Sequence, residues 1–283
     1  MLVWIASYPK SGNTWVRAML TAVRLDNGEE LDINRLEGRL KGRRTEDFEE
    51  VAGLTLDELP REEQLRALPD LLAELARTAS GLEIRKTHDA FIRTANGRNV
   101  YSAEAGARAI YIVRDPRDVA VSFAAHLGIS LDAAIAEMAR TDRELGREGG
   151  GLIELIGSWS SNVQSWLDQC DIPTLMISYE DLLSDPAACL AKMLGFAGLE
   201  WNEEALAQAV EMTRFDKLKA IEARDGFVER SESSDPFFRR GRAGGWREDL
   251  TASQAARIEA DHQQVMCRLG YLTPLAPVGS ATP

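Results

Sequence analysis

Four clusters of reactive residue types punctuate the chain: SYPKSGN (7–13), RKTHD (85–89), RDPRD (114–118) and SYEDL (178–182). In the first, Lys10 and Gly12 run into the apolar-periodic segment TWVRAMLTAV, so a turn opens there into a helix. Free backbone N–H groups and the positive end of a helix dipole meet at such a junction, and together they suit a phosphate. Lys10 stands where a cation would meet a phosphate or a bridging oxygen. The P-loop of nucleoside triphosphatases, G-x-x-x-x-G-K-[ST], is a different arrangement: here Lys10 precedes Gly12, and no Lys-Ser or Lys-Thr pair follows it. Arg114 brings a planar fork that fits a phosphate, and Ser122, eight residues on, offers a hydroxyl from the second turn of the next helix. A surface ion pair with Asp115 or Asp118 is the competing use of Arg114. His88 is the natural general base, because imidazole ionises near neutrality and this one closes a strand-like run. His126 and His262 lie within or after helices and are expected to be structural or exposed.

These clusters must be placed by the elements that carry them. Apolar runs at Leu2–Ser7, Leu82–Lys86, Ala109–Val113 and Pro173–Ser178 read as strands. Helical periodicity is expected at 14–25, 62–79, 116–125, 131–144, 152–169, 185–196, 202–212 and 252–269. Strands alternating with helices form βαβ units around a mostly parallel sheet, and ligands sit beyond the carboxyl ends of such strands. The four clusters are therefore expected to converge. Residues 26–60 and 224–245 lack clear period. The second, RDGFVERSESSDPFFRRGRAGG, is too basic and aromatic for a mere linker and reads as an active-site lid, mobile until a ligand orders it.

The whole chain narrows the choice of partner. Its 283 residues are expected to form one domain, with a flexible tail at 273–283. A net charge of −12 argues against a nucleic-acid partner, though a local basic pocket remains compatible with it. No stretch has the apolar length of a membrane span. Leu2–Ala6 is too short for the core of a signal peptide and has no basic leader, so a buried strand is expected there. Three scattered cysteines form no C-x-x-C pair, which points away from a disulfide framework or zinc site; with no targeting segment read in the sequence, a reducing cytoplasm is the expected setting.

SYPKSGNTW resembles the 5'-phosphosulfate-binding loop of the cytosolic-type sulfotransferases, written T-Y-P-K-S-G-T-T-W, and the later segments follow in that family's order. YIVRDPRDVAVSF is similar to the strand and helix that hold the 3'-phosphate of 3'-phosphoadenosine 5'-phosphosulfate (PAPS), and RKTHD to the K-T-H segment with the catalytic histidine. YED and TRFDKLK resemble adenine-side segments, and FFRRGRAGGW resembles the R-K-G-x-x-G-D-W lid. The resemblance implies an α/β fold, a P-loop-like three-layer αβα arrangement around a mostly parallel sheet. It implies PAPS as co-substrate and PAP as product, held by Lys10, Ser11, Gly12, Asn13, Thr14, Trp15, Arg114, Ser122, Tyr179, Thr213, Phe215, Arg239, Arg240 and Gly241. Trp15 would stack on adenine, His88 would be the base, and Lys10 would meet the leaving oxygen with help from Lys86. No metal is expected.

The acceptor implied is a hydroxyl, less readily an amine, of a small molecule. The departures bear on details. Asn13 replaces a threonine, its amide still able to donate to phosphate; Gly245 replaces an aspartate; Asp89 and Ala90 stand where a proline-containing acceptor loop is common. The acceptor pocket is expected from loops at 26–60, 88–100 and 126–150. With no match to the family's dimer motif, the oligomeric state stays open. A P-loop kinase using ATP and magnesium and a non-catalytic nucleotide-binding protein are the rival readings.

Overall fold

The computed structural model describes residues 1–26, 28–38, 49–50, 53, 59–79, 81–101, 106–145, 154–230 and 236–273. The expected tail beyond 273, much of the 26–60 loop, residues 146–150 of the acceptor loops and 231–235 of the lid lie outside the described residues. In chain order come β1 (Leu2–Ser7), α1 (Asn13–Ala22), α2 (Arg61–Thr78), β2 (Glu83–Thr87), β3 (Arg108–Val113), α3 (Pro116–Leu127) and α4 (Leu131–Ala139). They are followed by β4 (Glu144–Leu145), β5 (Glu154–Leu155), α5 (Trp159–Gln164), β6 (Thr174–Ser178), α6 (Tyr179–Ser184) and α7 (Pro186–Ala197). The chain closes with α8 (Glu203–Met212), α9 (Phe215–Asp225), α10 (Trp246–Asp249) and α11 (Ala252–Arg268).

The strands lie in the order β2-β1-β3-β6, every pair parallel, with Ala6 opposite Thr87 on one side and Tyr111 on the other. All six β1 residues are buried, as a strand covered on both faces requires. Alternate side chains feed two cores. Leu2, Trp4, Ala6, Tyr111 and Val113 join α2 to α5 and α11, whereas Val3, Ile5, Ile110 and Ile112 join α1 and α7 to α9. The product is the three-layer αβα arrangement. Because β1 is flanked by β2 and β3, the crevice above its carboxyl end is a switch point, where such folds take ligands.

Two expected helices are shorter than their periodicity. The one read over 131–144 stops at Ala139, and the one read over 152–169 begins at Trp159. Between them β4 and β5 pair antiparallel, with the Leu155 N–H donating 2.6 Å to the buried carboxylate of Asp89. Gly157 at φ 66 turns the chain, and Ser158 caps α5 by accepting the Ser161 N–H. Helices α6, α9 and α10 were not expected: α9 is mostly charged and buries little beyond Leu218 and Glu222.

Candidate active site

The loop between β1 and α1 is built on left-handed backbone. Gly12 has φ 108, and a Cβ there would lie 2.7 Å from the Tyr179 ring, so only glycine fits. Lys10, at φ 67, is the one non-glycine residue with positive φ among the described residues. Gly12 gives α1 no side-chain cap, which leaves the first-turn N–H groups for an anion. The Asn13 amide corrects one expectation. Both its N–H groups point inward, to the Ile5 carbonyl at 2.9 Å and Ser7 Oγ at 3.3 Å, so the side chain braces β1 and only its backbone N–H remains for phosphate.

Lys10, Gly12, Asn13, Thr14, Trp15, Lys86, His88, Arg114, Ser122, Tyr179, Phe215, Arg239, Arg240 and Gly241 all line one cavity of about 540 Å³. Two expected residues do not. Thr213 is buried, its hydroxyl on the Ala209 carbonyl, and its own carbonyl accepts the Trp15 indole N–H at 3.0 Å, so it positions Trp15. Ser11 is fully buried, and its Oγ has no hydrogen-bond partner among the described residues, as is true of Arg114 Nε. Orphaned buried donors beside a cationic cavity fit phosphate oxygens.

His88 is tethered through Nδ1, 2.9 Å from the Ser7 carbonyl. A carbonyl only accepts, so Nδ1 carries the proton and Nε2 is left as the acceptor. Burial, then Lys86, pushes this imidazole down to about 4, well below the near-neutral ionisation expected. The backbone on either side is pinned as well: Asn162 donates to the His88 carbonyl at 3.0 Å, and Trp166 donates to the Asp89 carbonyl at 2.9 Å. Burial, then Arg114, pushes the Lys10 ammonium down to about 7, and the ammonium rests 3.9 Å over the Phe237 ring.

Arg114 makes no pair with Asp115 or Asp118. Its guanidinium donates to the Lys10 carbonyl and the Arg242 carbonyl, each at 3.1 Å, and stacks 4.2 Å over Tyr179. Asp115 instead holds Arg117, and Asp118 accepts N–H groups of the lid. Arg239 donates to the Val121 carbonyl at 3.3 Å, while Arg240 pairs with Asp249. Phe215 packs against Gly241, where a Cβ would fall 2.1 Å from the ring.

Sequence reasoning missed several neighbours. His126 lines the cavity, edge-on to Phe237, rather than standing apart, and burial pushes its imidazole down to about 4. Glu229 reaches in from the lid to Arg17 at 2.9 Å, with Lys86 Nζ 3.8 Å away. Burial raises the Glu229 carboxyl, but Lys86 and Arg17 outweigh it and hold it below its usual range. Neither residue belongs to a recognisable motif; the one signal was Arg17, an arginine within the apolar-periodic run of α1 and buried there.

The chain and its fold have counterparts among known proteins. The family model described as the sulfotransferase domain matches residues 2–270. Sulfotransferase 1A1 of Canis lupus familiaris is 27% identical over 281 residues, covering 96% of this chain and 86% of its own. Cytosolic sulfotransferase 17 of Arabidopsis thaliana is 24% identical over 286 residues, covering 95% and 75%. Among solved structures, retinol dehydratase in a complex with retinol and PAP shares the P-loop-like fold with a TM-score of 0.62. It is 22% identical to this chain, with 98% of this chain and 83% of the other covered.

Proposed function

The chain belongs to the sulfotransferase family, and from that premise we propose that His88, Lys10 and Lys86 move a sulfuryl group from PAPS to a hydroxyl of a small molecule. The products are PAP and a sulfate ester. The N–H groups of residues 11–15 receive the 5'-phosphosulfate, Arg114, Ser122 and Arg239 the 3'-phosphate, and Trp15, Tyr179 and Phe215 the adenine. His88 Nε2 takes the acceptor's proton as the acceptor oxygen bonds to sulfur, and the bond from sulfur to the 5'-phosphate oxygen breaks. Lys10 and Lys86 stabilise the charge that grows on the departing phosphate. An amine is a less fitting acceptor, because an alkyl amine is an ammonium at neutral pH and an imidazole held down at about 4 is too weak a base to take that proton. Phe123, Leu127, Leu145 and Phe237 give the cavity apolar walls, in keeping with an apolar alcohol or phenol. The named relatives favour a cytoplasmic setting.

The observation that carries this reading is the His88 tautomer, held by Ser7 within the cavity that also gathers Lys10, Lys86 and Arg114. Incubating the protein with PAPS and a panel of alcohols, phenols and amines, read by mass spectrometry, tests it. Sulfated product and PAP should appear in equal amounts. PAP binding with no turnover across the panel would favour a non-catalytic nucleotide-binding protein, and consumption of ATP with magnesium would favour a kinase.

A further inference from the structure

The basic stretch of the lid is mounted on two helices by buried carboxylates. On α9, Glu222 is 5% exposed and accepts the backbone N–H of Phe237 at 2.6 Å and of Phe238 at 2.9 Å. On α3, Asp118 is 4% exposed and accepts the N–H of Gly244 at 2.6 Å and of Trp246 at 2.9 Å. Arg239, Arg240 and Gly241 lie between these two anchors. Helix α9 supports them at both its ends, with Phe215 of its first turn under Gly241 and Glu222 of its last turn beneath the two phenylalanines.

Hydrogen bonds to an ionised acceptor are the stronger kind, and a buried carboxylate is retained only where such bonds satisfy it. A loop held this way at both margins of its basic stretch has its arginine backbone set in advance. We propose that Glu222 is a positioning residue for the donor's 3'-phosphate: it fixes the Phe237–Phe238 turn so that Arg239 is presented as part of a preformed clamp. This rests on the donor reading above, in which Arg239 joins Arg114 and Ser122. The lid at 236–245 is then ordered before nucleotide binds, in contrast to the mobile strap expected from its composition.

Glu222→Gln keeps the size of the side chain but replaces one acceptor oxygen with an NH2 group that faces an N–H donor. Calorimetry on the full-length wild type and this variant, titrated with PAP and with adenosine 5'-monophosphate, separates the possibilities. The variant should bind PAP about tenfold or more weaker, the scale of one lost hydrogen bond to a charged group, and bind the monophosphate within about twofold of wild type. A merely structural role would lower Tm without this selective loss. If wild type shows no preference for PAP over the monophosphate, the donor reading fails. If wild type shows the preference and the folded variant keeps it, the role of Glu222 is overturned. Should the variant not fold, hydrogen exchange on nucleotide-free wild type decides: the Phe237 and Phe238 amides should be protected, and rapid exchange there would end the proposal.

Discussion

At His88 a backbone carbonyl chooses the tautomer and burial chooses the protonation state, and the two choices agree. Nδ1–H is committed to Ser7, and with its ionisation down at about 4 the ring is neutral throughout the ordinary working range. In the proposed mechanism, acceptor deprotonation would therefore meet a base that is already free of its proton. Lys10 limits the other side, since its ammonium is protonated below about 7 and neutral above. The kcat/KM for PAPS reports the free enzyme, so it should be flat between pH 5 and 6.5 and fall as pH rises through about 7. The kcat should hold to higher pH, because a bound anionic donor stabilises the charged lysine. A kcat/KM that climbs through pH 6.5 would show that the imidazole titrates near its unperturbed value. Lys10→Ala should lower kcat by about 100-fold or more, the scale of losing one preorganised charge-stabilising donor. His88→Asn should lower turnover by about 10²–10⁴ while PAP affinity, measured by calorimetry, survives. Near wild-type turnover of His88→Asn on an aliphatic alcohol would pass the base role to Lys86. The residue types and order of Lys10, His88 and Arg114 were legible in the sequence. Their ionisation was not, because it depends on what buries them.

At the scale of elements, the strands and the loops after them were legible because short apolar runs, buried on both faces in a covered parallel sheet, and the polar and glycine turns that end them are written locally. The sheet's four strands begin within a residue or two of their apolar runs, and the four polar clusters do converge. What could not be read was set by distant partners. The Leu131 helix stops early because Asp89, far off in sequence, captures the N–H of Leu155 and favours the β4–β5 pair. Helix α9 was hidden because its buried face is narrow and one of its two buried side chains is the carboxylate of Glu222. Asn13 reads as a phosphate donor until the Ile5 carbonyl is seen to claim it. The first turn offers a test at this scale. At Gly12 a methyl group meets left-handed backbone at φ 108 and the Tyr179 ring at 2.7 Å, and Arg114 stacks 4.2 Å over that same ring. Gly12→Ala should destabilise the fold by about 1–3 kcal/mol in urea titrations, the range for one strained residue. It should also weaken PAP binding about tenfold by shifting Tyr179 beneath Arg114, since one charge-assisted bond lost is of that order. Loss of stability with unchanged PAP affinity would mean that the ring and the guanidinium move independently.

Over the whole molecule, an acidic protein of net charge −12 gathers Lys10, Lys86, Arg114, Arg239 and Arg240 around one cavity. Like charges held together repel, and the strain shows at Lys10, where Arg114, Lys86 and Arg239 add to burial in lowering the ammonium. Arg239 is lowered too, first by burial and then by Arg240. An anion with several negative charges relieves that repulsion only in the folded state, where the cations are assembled, so binding is linked to folding stability. With PAP at 100 times its Kd the gain should be about 2.7 kcal/mol, which corresponds to a rise in Tm of about 5 °C for a chain of this size. These side chains supply the positive charge that magnesium supplies around a kinase's triphosphate, so the shift should be the same in EDTA as in magnesium. Turnover with PAPS should likewise be unchanged by EDTA. Differential scanning fluorimetry with PAP, adenosine 5'-monophosphate and ATP, each with and without magnesium, measures all of this in one plate. PAP should give the largest shift, since it alone of the three combines the 5'- and 3'-phosphates that the proposed function assigns to the first loop and the lid. A larger shift with magnesium and ATP than with PAP would assign the cationic cavity to a triphosphate and undo the sulfuryl-transfer mechanism at its first step.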